Sequence, residues 1–480
     1  VGRTVKRARV RVRSELAVTL AALALTSCGQ SGRAPFAVEI VTAAGANPVA
    51  GATTGRLRVL VAQDGQPTRD QAVDLSGGSF QLDVTIASYG APTRLGVELV
   101  RDGETSLGAV PTFAPLGFGF VRVPVVPAGT CASVATQRLA TPRAEAAVAA
   151  VDALLAVVGG VAADGTPASG LERFWSPQLT ASTGSGPVHP RALPEGPVRA
   201  LRFAGQPRVL LVGDRRAVVL DFGGDTVGDM IDSPLAAHVG VGAASALVDL
   251  GASGLAIVGG AEGATPVATI SWVGIDRSVQ RSALSAPRAG AAAVAWGASE
   301  GILIAGGQDA GEPTFAYVPA AASAREEVLD FELPTRPTAP LHGGALLRSP
   351  DGRSALWVGA TNEAGDVSRE TWLVRGCPAA CEVVPGPAWP APRTRFEVAR
   401  TSDGAWIVGG REGTAPSARV ERVTWTGGAP SFASTTLVVA REDAAVTALA
   451  AGMLLVVGGR GAGGALDGFE LCAPASLETP

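Results

Sequence analysis

Four arginines recur at equivalent places along the chain, Arg143, Arg288, Arg393 and Arg441, and His342 falls near a fifth. Three of them follow proline directly (Pro142, Pro287 and Pro392), and each leads into a run rich in small residues. Guanidinium groups repeated in this way could line one face of a fold and hold a carboxylate or an acidic sugar through paired hydrogen bonds. They could equally bond backbone carbonyls of neighbouring units. The residues alone leave both readings open. Other chemistry finds little support. With only His189, His238 and His342 available, neither a Ser-His-Asp triad nor a histidine metal site has a recognisable setting. Asp221, Asp225, Asp229 and Asp232 cluster in turn-like sequence without the fixed partner that paired-carboxylate glycoside hydrolysis requires. The glycine-rich stretch from Gly458 to Gly464 follows a strand but leads into another strand, so no helix N-terminus is available to receive a phosphate. No catalytic, cofactor-binding or metal-binding residue is assigned, and no cofactor is expected.

The elements that must position these arginines are marked by a recurring Gly pair at the end of an apolar strand. The leading glycines are Gly159, Gly213, Gly259, Gly306, Gly359, Gly409 and Gly458. A period near fifty residues with several short strands per unit is the signature of a β-propeller, and seven occurrences predict seven blades. Each unit opens with a small-residue strand, as expected where strands crowd around an axis. A continuously apolar strand such as Leu454–Val457 follows, as expected for one packed on both faces. An aromatic then marks the third strand: Trp175, Trp272, Tyr317, Trp372, Trp425 and Phe469. Packing between blades is the expected role of these rings.

A hydrophobic strand, a Gly pair and a later aromatic resemble the kelch repeat, the propeller type of the galactose oxidase central domain. The resemblance covers roughly 131–475 and is degenerate, with Gly213-Asp214 and Gly359-Ala360 in place of two pairs. It implies an all-β, seven-bladed kelch-like propeller and no particular activity. Copper radical chemistry, known for some kelch-like propellers, is excluded by a chain with only two tyrosines, Tyr89 and Tyr317. Propellers of this type often close by lending an N-terminal strand to the last blade. The segment after Cys131 fits that role, because the chain ends soon after its last third strand. That closure pairs Cys131 with Cys472 and, by equivalence within another blade, Cys377 with Cys381.

The first residues read as an address. A basic segment and the apolar run Leu16–Leu25 precede Leu25-Thr26-Ser27-Cys28, which resembles a bacterial lipobox. Residues 1–27 are therefore expected to be a lipoprotein signal peptide, Cys28 the lipidation site that binds membrane lipid, and 28–35 a tether. Residues 36–128 are expected to form a small all-β, sandwich-like domain that serves as a spacer. Gly29 after the cysteine leans toward the outer membrane. The remaining four cysteines suit disulfides in an exported protein. A net charge of −4 leaves no nucleic-acid footprint. The expectation is a non-catalytic, lipid-anchored cell-envelope lipoprotein whose propeller binds a protein or glycan. The alternative is a carbohydrate-active lyase or hydrolase using the channel mouth, which carboxylates converging there would favour. A purely structural envelope protein is a third reading.

Overall fold

The computed structural model describes residues 6–11, 37–75, 81–86, 91–113, 120–151, 154–168, 170–175, 180–181, 196–203, 208–213, 216–221, 244–262, 264–276, 278–297, 301–307, 315–320, 329–331, 341, 343–362 and 364–478. The leader's apolar run, Cys28 and the tether lie outside them. The described chain is all-β, with many small sheets and one large curled sheet.

The large sheet holds eight strands, in spatial order Arg69–Asp74, Gly55–Gln63, Thr93–Arg101, Glu104–Phe113, Phe120–Pro127, Ala37–Thr42, Lys6–Arg11 and Gln81–Ile86. It is a half-barrel rather than the sandwich the sequence led us to expect. Strands as long as Gly55–Gln63 twist enough for one face of a single sheet to wrap its own core. Alternate residues fill that core: Leu57, Val59 and Val61 from one strand, Leu95, Val97 and Leu99 from the next. The strand that the sequence placed in a leader, Lys6–Arg11, pairs parallel with Ala37–Thr42 and antiparallel with Gln81–Ile86.

Among the described residues, seven antiparallel sheets of three or four strands follow, here called sheets I to VII, beside four two-stranded ones. Their first strands are Ala147–Val151, Val198–Arg202, Ala246–Asp249, Ala292–Trp296, Ala345–Arg348, Glu397–Arg400 and Ala445–Ala448. Each sheet continues strand by strand away from its first strand. The second strands are buried from end to end, as Gly301–Ala305 and Leu454–Val457 show. The aromatics anticipated for third strands sit on them: Trp272, Tyr317, Trp372, Trp425 and Phe469.

One apolar core joins each sheet to the next, from I with II through VI with VII. Another joins sheet VII back to sheet I, through Val457, Phe469, Leu155 and Phe174. That core also takes in Ala43, Leu107, Ala109 and Val126 of the half-barrel. The N-terminal sheet is thus packed against the start and end of the series.

Sheet VII takes its fourth strand, Cys131–Arg138, from the segment preceding sheet I. Cys472 and Cys131 are register partners and form a disulfide closing 341 residues, while Cys377–Cys381 closes only 4. Chain-entropy scaling gives about 6 kcal/mol for the first loop and about 2 kcal/mol for the second. Cys472→Ser should therefore lower the denaturation midpoint far more than Cys381→Ser in parallel urea titrations. Equal losses would mean that strand pairing alone holds the closing sheet.

Candidate functional site

The site is built on a corner that recurs between sheets. Arg143, Arg288, Arg393 and Arg441 precede the first strands of sheets I, IV, VI and VII, and all four are buried. Each guanidinium donates to the carbonyl of the leading glycine in its own sheet: Arg143 to Gly159 at 3.1 Å, Arg288 to Gly306 at 2.7 Å, Arg441 to Gly458 at 2.7 Å, and Arg393 to Gly409. The backbone carbonyl of the same arginine accepts from the preceding sheet. Gly260 N–H reaches Arg288, Gly410 reaches Arg441 and Gly459 reaches Arg143, at 2.8, 2.9 and 2.9 Å. Glycine is required at this crossing. A Cβ on Gly409, at φ 56°, would stand 2.3 Å from the Arg441 carbonyl oxygen.

Three of the arginines also meet a glutamate on the third strand: Arg143 with Glu172, Arg393 with Glu421 at 2.5 Å, and Arg441 with Glu470. The separations of 29, 28 and 29 residues make this pair part of the repeat. Glu172 additionally accepts the N–H groups of Ala140 and Thr141, and Glu470 those of Val438 and Val439. The arginines expected to form a ligand face are therefore interior fasteners. Burying a guanidinium is tolerable only when its donors and charge are matched, and carbonyls and glutamates do that here. His342, the fifth member, lies outside the described residues, as do His189, His238, Tyr89, Asp225, Asp229 and Asp232.

Two residues beyond each arginine the chain adopts left-handed backbone, at Glu145, Gly290, Arg395 and Asp443 (φ 57°, 68°, 54° and 50°). This conformation points each corner N–H at the carbonyl of the preceding corner: Glu145 to Asp443 at 2.9 Å, Asp443 to Arg395 at 3.4 Å. Side chains at such φ cost roughly 1–2 kcal/mol, so three charged residues there mark a place where strain is retained.

Those three meet one another. Arg395 bonds Glu145 at 2.9 Å and is clamped to Asp443, with Glu442 at 3.6 Å. Glu145 and Asp443, with Arg199, Phe396 and Glu397, line a cavity of about 410 Å³ between the first strands; Arg395 holds the first two from outside that lining. Phe396 packs edge-on against Trp389, with ring centroids 5.1 Å apart. Burial pushes the Asp443 carboxyl upward against the opposing pull of Arg395. Glu397 is exposed within the cavity, with protein around that cavity. The surrounding protein raises its pKa to about 7, with Arg199 opposing and Asp443 and Glu145 reinforcing the shift. Arg199 is anchored by donating to Ser245 O at 2.9 Å.

Sequence reading missed Glu145, Arg395, Phe396, Glu397 and Asp443. The available signal was the constant two-residue offset of the charged corner from the repeated arginine. Among the described residues no group of His, Cys, Asp or Glu is arranged to hold a metal ion.

No family model matches the chain, and no curated protein matches it. Among solved structures it is similar to YjhT, at 9% identity with a TM-score of 0.39, over 69% of this chain and 95% of that one.

Two outcomes are expected. Glu421→Ala strands the fully buried Arg393 guanidinium and should cost about 3–5 kcal/mol in chemical denaturation, with Arg143 or Arg441 variants of similar weight. Glu397 is protonated more readily folded than unfolded, so its contribution to stability is complete below pH 4.5 and is lost as pH rises through about 7. Glu397→Gln should remove that fall, a difference readable in thermal melts of both proteins from pH 4 to 8.

Proposed function

We propose that residues 131–475 form a seven-bladed kelch-like β-propeller on a lipid-anchored cell-envelope protein, and that its channel mouth binds carbohydrate without cleaving it. The blade reading is supported by seven small sheets that share cores in cyclic order and by the strand from Cys131 that completes the last one. Two disulfides fit an extracytoplasmic compartment. The anchor rests on the lipobox-like sequence at Cys28; cleavage before it would remove Lys6–Arg11, the ladder partner of Gln81–Ile86.

One observation carries the ligand class: Glu145, Glu397 and Asp443 converge with Phe396 on a cavity of about 410 Å³, a volume suited to one or two sugar rings. Carboxylates accept from adjacent hydroxyls, and an aromatic face packs on a pyranose ring. With three carboxylates and one arginine, Arg199, in its lining, the mouth favours neutral or amino sugars over the acidic sugars that an arginine face would have taken. Arg395 ties down both Glu145 and Asp443, which suits orientation more than nucleophilic attack.

The hydrolase or lyase reading draws on a different fact. Glu397, half-protonated near pH 7, has the property of a general acid. A glycan array probed with the full protein, followed by product analysis of any glycan bound, separates the readings. Binding to neutral or amino sugars that Glu397→Gln and Asp443→Asn weaken at least about tenfold, with the glycan recovered intact, is the expected result. Cleavage abolished by Glu397→Gln would establish the enzyme instead, and a preference for uronic or sialic acids would overturn the acidic-mouth account.

A further inference from the structure

The channel holds a second cavity, of about 400 Å³, below the first. Val148, Ala200, Val398 and Val446 line both, so an apolar belt at mid-strand separates an upper chamber from a lower one. The lower chamber differs in charge. Arg202 and Arg400 line it against a single carboxylate, Asp249, and Pro111 and Thr112 of the half-barrel form part of its wall. Glu397 and Arg400 are the first and last residues of one strand, about 10 Å apart along it, one in each chamber.

We propose that the lower chamber is a binding site for a small anion of the phosphate, sulfate or carboxylate class, held between Arg400 and Arg202. Arg400 donates Nη2 to Leu346 O at 3.3 Å, and Arg202 donates Nη1 to Ala150 O at 3.4 Å. These long bonds leave most of the Arg400 fork available to a planar or tetrahedral oxyanion. Arg348 ends the neighbouring first strand at the same register position, bonded to Gly297 O at 3.2 Å, and adds a third positive charge. Arg400 is exposed within the chamber, and the protein surrounding it, followed by the like charge of Arg348, lowers its pKa, while Asp249 opposes the shift. An anion between the arginines relieves both penalties. The enclosure by Pro111 and Thr112 gives the half-barrel a part in the site, which a spacer would not have. The inference is independent of what the upper chamber binds.

The test is isothermal titration of the full protein with inorganic phosphate and, separately, succinate, at pH 7 and constant ionic strength. One saturable site for either anion is expected. Arg400→Gln should weaken it at least about tenfold, and Arg375→Gln, at an exposed arginine, should leave it unchanged. Thr112→Trp, which fills the chamber from the half-barrel without touching an arginine, should abolish it even if Arg400→Gln does not fold. Absence of saturable binding, equal binding in Arg400→Gln, or equal loss in Arg375→Gln would overturn the proposal and leave the arginines as staples between strands.

Discussion

The structure depends on the bond between a buried arginine and a glycine carbonyl at the corners that open sheets I, IV, VI and VII. First strands of neighbouring sheets share no hydrogen-bonded ladder, so side-chain packing alone would leave the backbone groups at the corner unsatisfied. One arginine answers this on two sides. Its guanidinium holds the Gly-pair carbonyl of its own sheet, and its backbone carbonyl receives the Gly-pair N–H of the sheet before. The third-strand glutamate then supplies the charge that a buried guanidinium needs, as Glu421 does for Arg393. Sheet IV shows the limit of the pattern. Arg288 keeps its glycine carbonyl, but Ala316 stands where the 28-residue spacing of Arg393 and Glu421 would put a glutamate.

Function-bearing geometry follows from that corner. Because the arginine fixes the chain on entry, the residue two places on must turn left-handed to reach the preceding corner. Where that residue is Glu145 or Asp443, its side chain is thereby delivered to the cavity between the first strands. Where it is glycine, as at Gly290, no side chain is delivered. Glu145, Arg395 and Asp443 form a connected set of charges, at the cost of backbone strain. These charges lie at the corners of sheets VI, VII and I.

The same sheets carry the covalent closure and the contact with the half-barrel. Cys131–Cys472 joins the strand entering the series to the strand leaving it, and the core of sheets VII and I includes Leu107 and Val126 of the N-terminal sheet. Pro111 and Thr112 of the half-barrel line the same cavity as Arg400. Strands only four or five residues long reach from one cavity to the other, so Glu397 lines the first and Arg400 the second.

Much of the architecture was legible because it repeats. Gly pairs, small-residue first strands and third-strand aromatics each answer a local steric demand, so seven copies announced seven small sheets. The equivalence of Cys377 with Cys472 and of Cys381 with Cys131 identified both disulfides. The half-barrel carries no repeat: alternating or apolar runs at 36–41, 55–62, 79–86, 94–101 and 117–125 marked five of its strands, but nothing marked Lys6–Arg11, Arg69–Asp74 or Glu104–Phe113. Nor could alternation tell one curled sheet from two packed ones, since both bury every second residue. The arginines left two readings open for a similar reason. Sequence alone determined that arginines recur at one position in the repeat. Whether each turned outward to a ligand or inward to a carbonyl was decided only by tertiary structure, because the partners that settle it, a glycine carbonyl some 16 residues away and a glutamate 28 or 29 away, reach the arginine only once the sheet has formed.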